Sequence, residues 1–222
     1  MNTVEWKTIP WILIPKMPKD KLLDILAGVP ELLENIEGMG TSSDPAERQQ
    51  LLEATMRYGG ELVAELEKWH EIHQHHICTP ATEDPVPIQF PSFDIAHITV
   101  FYWTTACLLH GCLKWALRFK SLDPSISASC ITAPTIINIK SPKLYAYRIM
   151  QSVAHFFEPQ WGVFGATTIA FPTGVAFKCV KDHGTEEDKP YLELVFRTWS
   201  DDKLPGAIKR FLKSMGQESA GR

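Results

Sequence analysis

Apolar residues recur three and four positions apart along most of the chain, which is the period of an amphipathic helix rather than the alternation of a strand. Lys19 to Ile36 carries Leu22, Leu23, Ile25, Leu26, Val29, Leu32, Leu33 and Ile36 at this spacing. Pro30 falls inside the run and predicts a bend that divides it into two short helices. A polar linker, Gly38-Met39-Gly40-Thr41-Ser42-Ser43, follows. Asp44, Pro45 and Glu47 then combine an N-cap, a first-turn proline and the acidic partner of a capping box. Leu51, Leu52, Thr55, Tyr58, Leu62, Leu66, Trp69 and His73 keep one face from there, predicting a helix to about His76, roughly 45 Å long. Gly59-Gly60 is its weak point.

The proline-rich stretch Cys78–Pro91 predicts a connection, and an apolar helix starts near Ser92 and runs to Phe119. Residues 121–140 lack periodicity and read as loop. Ser141-Pro142 repeats the cap-plus-proline signal and opens a helix to about Glu158. Trp161 to Lys181 is a further apolar helix, with Pro172 predicting a kink. The acidic loop Thr185–Asp188 precedes short helices over Tyr191–Ser200 and Ala207–Met215. No strand alternation and no repeat emerges. The expectation is an all-α fold, a single domain over residues 1–222 with an extended arm over 1–18 and loops at 77–92 and 121–141. It is read as about seven to nine helices around the buried aromatic helix.

Composition narrows the functional classes. The chain has 222 residues, 45% of them hydrophobic, enough for a sizeable core. Lys+Arg 22 against Asp+Glu 26 gives a net charge of -4, which argues against direct nucleic-acid binding, since that needs a clustered positive surface. The basic run Lys209-Arg210 with Lys213 reads as a helix-end cluster favoured by the macrodipole. Cys78, Cys107, Cys112, Cys130 and Cys179 are scattered without a C-x-x-C pair, as in a reduced intracellular protein, cytoplasmic or nuclear. No signal peptide is expected. Ile95–Leu117 and Val163–Val180 approach the length of a membrane span, yet His97, His110 and Lys114 interrupt the first, and Pro172 and Lys178 the second. Buried helices explain both better, so no membrane partner is expected.

Several residues carry candidate chemistry. His70, His73, His75 and His76 are close enough on one helix to invite a metal, but the Trp69-His70-Glu71-Ile72-His73 sequence has no H-E-x-x-H pattern. They read as a solvated helix terminus, and no metal or cofactor is expected. On the apolar helix, Phe101, Thr105, Leu108, Cys112, Trp115 and Phe119 form a core stripe. A second stripe, Thr99, Trp103, Cys107, His110 and Lys114, is partly polar. Burying such groups without hydrogen bonds costs about 1–3 kcal/mol each, so they are either satisfied by neighbouring helices or line a cavity. Trp161-Gly162-Val163-Phe164-Gly165-Ala166, continuing to Phe171-Pro172, combines close-packing residues with aromatic walls. His155, between Ser152 and Glu158 on one face, has the parts of a general acid–base pair. Dinucleotide, P-loop, nucleophile-elbow and aspartate-rich cyclase motifs are missing, and Asp201-Asp202 has no partner acid.

Three segments resemble the C-terminal helical regulatory domain of fungal zinc-cluster transcription factors. They are Glu5-Trp6-Lys7-Thr8-Ile9-Pro10-Trp11 with Leu22–Leu26 and Val29–Leu33; Phe90-Pro91-Ser92-Phe93 with Phe101-Tyr102-Trp103; and Tyr147–Val153 followed by Gly162–Val180 with its Phe171-Pro172. The resemblance spans most of the chain, and its motifs are hydrophobic, so it speaks more to fold than to function. It implies a helical domain normally joined to a six-cysteine DNA-binding cluster, for which the cysteines here have the wrong spacing and position. If Met1 is the native start, the DNA-binding half has been lost; if the chain is an excised fragment, the regulator reading recovers.

Two functions are therefore expected. In one, the chain binds an apolar small molecule and acts as a cofactor-free cyclase or isomerase of secondary metabolism. Its catalytic residues would be His110, His97 and His155, and its ligand-binding residues Trp103, Thr99, Cys107, Trp161, Phe164 and Phe171. In the other, it is a ligand-responsive regulatory domain acting through a protein partner; a homodimer is compatible with either.

Overall fold

Every regular element among the described residues is helical, as the hydrophobic period requires. The computed structural model describes residues 8–80, 82, 84–123, 138–181 and 185–200. The α-helices are α1 (Pro18–Leu26), α2 (Val29–Thr41), α3 (Pro45–His73), α4 (Phe93–Leu122), α5 (Pro142–Phe156), α6 (Gly162–Lys181) and α7 (Lys189–Ser200), with 3-10 turns at Ile9–Trp11, Gln74–His76, Pro159–Trp161 and Glu186–Asp188. The helix expected over Ala207–Met215 and most of the loop expected over 121–141 lie outside the described residues. Within the span read above as one domain, the chain falls into two compact units. One comprises the described residues of Met1–Gln74 and Leu108–Pro142; the other comprises those of His75–Cys107 and Lys143–Arg222. Helix α4 contributes residues to both.

In the first unit α1 and α2 pack on α3. The break between α1 and α2 falls at Ala27-Gly28 and not at Pro30, which is the second residue of α2. A proline in the first turn gives up an N–H that has no helical partner anyway, so it starts α2 rather than bending a longer helix. Gly28 sits at the break because a Cβ there would lie 2.7 Å from the Tyr58 hydroxyl and 2.8 Å from Leu62 Cδ1. The linker expected at 38–43 is also shorter, since α2 continues through Thr41. Met39 is buried, and a Cβ on Gly38 would meet Leu51 Cδ1 at 2.9 Å, so packing against α3 holds these residues helical despite their low propensity. Asp44 caps α3 by accepting from the Ala46 N–H at 2.9 Å, while Glu47 accepts from the Ser42 hydroxyl at 2.6 Å rather than closing a capping box. The helix passes through Gly59-Gly60 unbroken, and the missing Cβ of Gly59 admits Leu113. The Trp69 indole N–H donates to the Pro18 carbonyl at 2.8 Å and ties the far end of α3 to the start of α1.

The second unit gathers the first half of α4 with α5, α6 and α7. The 78–92 connection is stitched to these helices. Cys78 N–H donates to Thr99 Oγ1 at 3.0 Å, Ile88 N–H to the Gln151 carbonyl at 3.0 Å, and Gln151 Nε2 to the Asp84 carbonyl at 2.6 Å. The start of α7 is fixed to α5 through the buried Asp188 carboxylate. It accepts from the Tyr147 hydroxyl at 2.6 Å, and Lys143 Nζ lies 3.0 Å from both of its oxygens. Burial alone would raise the Asp188 pKa, but the hydrogen bonds from Tyr147, Thr185 and Lys143 prevail and hold it at about 2. Burial and the same carboxylate push the Tyr147 phenol well up.

The Pro159–Lys181 stretch is the one helix among the described residues that is long and apolar enough to cross a membrane, by length and composition only. Its entry is tightly constrained. Gly162 adopts φ 50, the left-handed region that favours glycine, and a Cβ on Gly165 would stand 2.1 Å from the Phe156 carbonyl oxygen. Gly174, on the same helix, would meet nothing within 4 Å. Gly165→Ala is therefore expected to lower the thermal midpoint by about 4–10 °C through overpacking against backbone. Gly174→Ala is expected to leave it unchanged or raise it slightly. Thermal unfolding followed by circular dichroism checks the pair; equal midpoints would show that α6 is not seated this closely on α5.

Candidate functional site

The reversal from α5 through Pro159–Trp161 into α6 brings an aromatic cluster together in the second unit. Phe93, at the start of α4, lies at its centre. Its ring centroid is 4.9 Å from Trp161, 5.1 Å from Phe164, 5.5 Å from Phe156 and 5.7 Å from His97. His155 joins from α5, with its ring 5.1 Å from Phe90, 5.8 Å from Phe156 and 5.9 Å from Trp161. Phe90 reaches on to Trp103 at 6.3 Å, and the Arg148 guanidinium lies 5.9 Å from the Trp103 ring. Offset and edge-on aromatic pairs of this kind contribute about 0.5–1.5 kcal/mol each beyond their burial. Phe164 forms the outer wall and is 63% exposed, whereas His155 is 5% exposed.

Polarity enters this cluster at three nitrogens. His155 Nδ1 and Nε2 and Trp161 Nε1 are all buried without a hydrogen-bond partner among the described residues. His155 Nδ1 lies 3.2 Å from Glu158 Oε1, close enough for charge attraction but without hydrogen-bond alignment. A carboxylate there favours the tautomer with the proton on Nδ1 and leaves Nε2 as an acceptor. Trp161 Nε1 can only donate. The cluster thus presents one acceptor and one donor on neighbouring rings, enclosed by apolar faces.

Of the residues expected to act together, His97, His155, Trp161 and Phe164 meet around Phe93, and Trp103 is linked through Phe90. Thr99 is fully buried, and its hydroxyl already accepts from Cys78 N–H, so it fastens the 78–92 connection. The neighbouring threonines are satisfied along their own helix, Thr104 donating to the Val100 carbonyl at 2.7 Å and Thr105 to the Phe101 carbonyl at 2.9 Å. Cys107 is buried on α4. Phe171 is 52% exposed on α6, and none of the ring contacts of the cluster involves it. His110 belongs to the first unit, so neither unit unites it with His97 and His155. Phe90, Phe93 and Phe156 were not among the expected site residues. The only sequence signal for them was apolar character at a helix start, at a helix end and in a proline-rich connection, where periodicity is silent.

His110 is 2% exposed. Burial, reinforced by the Lys140 charge, lowers its pKa from 6.5 to about 4. The same two causes lower His70. In the His70–His76 cluster, His75 and His76 have ring centroids 4.0 Å apart and His73 lies 5.1 Å from Trp69. No group of three or more His, Cys, Asp or Glu placed to hold a metal occurs among the described residues.

Comparison of the chain with family models, curated proteins and solved structures yields no match.

The depressed pKa of His110 has a stability consequence. Between about 4 and 6.5 the unfolded chain takes up a proton that the folded protein excludes, so its contribution is complete above 6.5 and is lost as pH falls toward 4. At 1.36 kcal/mol per unit this amounts to at most about 3 kcal/mol. A plot of thermal midpoint against pH is expected to fall through that window for the wild type and to be distinctly shallower for His110→Leu. Parallel curves would show that burial does not set the protonation of His110.

Proposed function

We propose that the chain binds an apolar small molecule at the aromatic cluster of its second unit, against the Phe93, Trp161 and Phe164 rings, with His155 as the polar contact. One observation carries this reading: two desolvated nitrogens, His155 Nε2 and Trp161 Nε1, make no hydrogen bond among the described residues. Leaving such groups unpaired costs about 1–3 kcal/mol apiece, a cost that a ligand supplying their partners would relieve. Surrounding aromatic faces favour a flat apolar body, the usual lining of a small-molecule site.

Within that site the His155–Glu158 pair has the parts of a general base oriented by a carboxylate. Holding a substrate in a reactive conformation beside one such group would accelerate a cyclisation or isomerisation without a cofactor. A secondary-metabolite cyclase or isomerase, in an all-α array of about seven to nine helices around an aromatic helix, is the form of the proposal taken forward. His155 carries the proton transfer and His97 sits in the aromatic wall.

A regulatory reading has its own support. Phe90, Phe93, Trp103 and Phe164 of the cluster fall in segments that resemble a fungal regulatory domain, whereas His155, Phe156 and Trp161 lie between two of them. A ligand there would then bias contacts with a protein partner instead of being converted. Both readings place the protein inside the cell.

Transcripts and metabolites measured together in a strain lacking this gene separate the two. Loss of one product with accumulation of a precursor or isomer, and unchanged transcripts, is expected. The same outcome is expected when the strain carries His155→Leu, provided the variant protein accumulates at wild-type level. A broad fall in a set of biosynthetic transcripts would replace the enzyme by the regulator. Wild-type metabolites and transcripts with His155→Leu would remove this site from the function.

A further inference from the structure

Resting on the ligand-binding reading, and narrowing the class of molecule it concerns, we propose that the site selects ligands carrying a hydroxyl group on a flat apolar body, such as a phenol or an enol. Trp161 Nε1–H can only donate, and Nε2 of His155, with Glu158 Oε1 3.2 Å from Nδ1, stands as an acceptor. A single oxygen that both accepts and donates satisfies the pair, and a hydroxyl does so where an ether, a carbonyl or a hydrocarbon cannot. The indole and imidazole rings are direct neighbours, 5.9 Å apart between centroids, so one ligand oxygen is the size of group that both can address. Both nitrogens are buried, so a ligand lacking the hydroxyl would leave them unpaired, the situation in which polar sites discriminate most strongly. Phe164, 63% exposed and 5.1 Å from Phe93, is the side chain whose rotation would open the cluster to such a ligand.

Titration of the whole purified protein with 1-naphthol, 1-methoxynaphthalene and naphthalene, followed by calorimetry, tests this. The expected order has 1-naphthol about tenfold or more tighter than the other two. Trp161→Phe and His155→Leu should each bring 1-naphthol to within about twofold of naphthalene, with circular dichroism confirming that both variants fold. If all three probes bind the wild type equally, a bound water serves the two nitrogens and hydroxyl selection is wrong, although the apolar site stands. If none binds up to its solubility limit, the binding reading fails and takes this inference with it. A naphthol preference that survives both substitutions would place the hydroxyl elsewhere and overturn the assignment.

Discussion

The close seating of Gly165 against the Phe156 carbonyl is the constraint on which the second unit's chemistry depends. With 2.1 Å between that oxygen and the position a Cβ would occupy, the start of α6 can lie against the end of α5 only because residue 165 has no side chain. The reversal itself needs Gly162 in the left-handed region. Together these two glycines bring Trp161 and Phe164 onto Phe93, and Trp161 beside His155. A looser turn would return the indole and imidazole nitrogens to water, where they would need no other partner.

Buried polarity is handled in three different ways in this protein. The Asp188 carboxylate is fully satisfied by Lys143, Tyr147 and Thr185, and it behaves as a structural rivet between α5 and the start of α7. The buried threonines of α4 bond to the helix backbone or to Cys78, so their polarity is spent locally. His110 is kept neutral at ordinary pH by burial and by Lys140, so it demands less than a charged imidazole would. Among the described residues of the second unit, His155 and Trp161 bring unpartnered nitrogens onto neighbouring rings, and Trp199 Nε1 is likewise buried without a partner. The neighbouring pair is what supports the proposed ligand site.

Much of the helical layout was legible from residue spacing. The α3 start at Asp44-Pro45, the long apolar α4 and the Pro142 start of α5 all follow from caps and a three-to-four period. The errors fall where packing outweighs local propensity. Gly38 and Gly40 read as linker yet lie inside α2, because Met39 is buried and Gly38 admits Leu51. Pro30 reads as a mid-helix bend yet opens α2, because the close approach to Tyr58 and Leu62 puts the break at Gly28. The candidate site was read in part. His97, His155, Trp161 and Phe164 were recognisable as aromatic or polar groups in apolar runs, but spacing within a helix says nothing about which helices meet. Thr99 belongs by spacing to the polar stripe of α4, and its hydroxyl accepts from Cys78 N–H in the 78–92 connection.

The sequence by itself determined that this chain is helical and where most of its helices begin. Those properties are local, set by side chains within a few turns of one another. Only the tertiary structure decided that Phe90, Phe156 and Trp161 surround His155, that His110 falls in a different unit, and that unpartnered nitrogens of His155 and Trp161 lie on neighbouring rings. These depend on contacts between residues up to about 70 positions apart, governed by helix length and by two turns whose geometry rests on the absence of a Cβ.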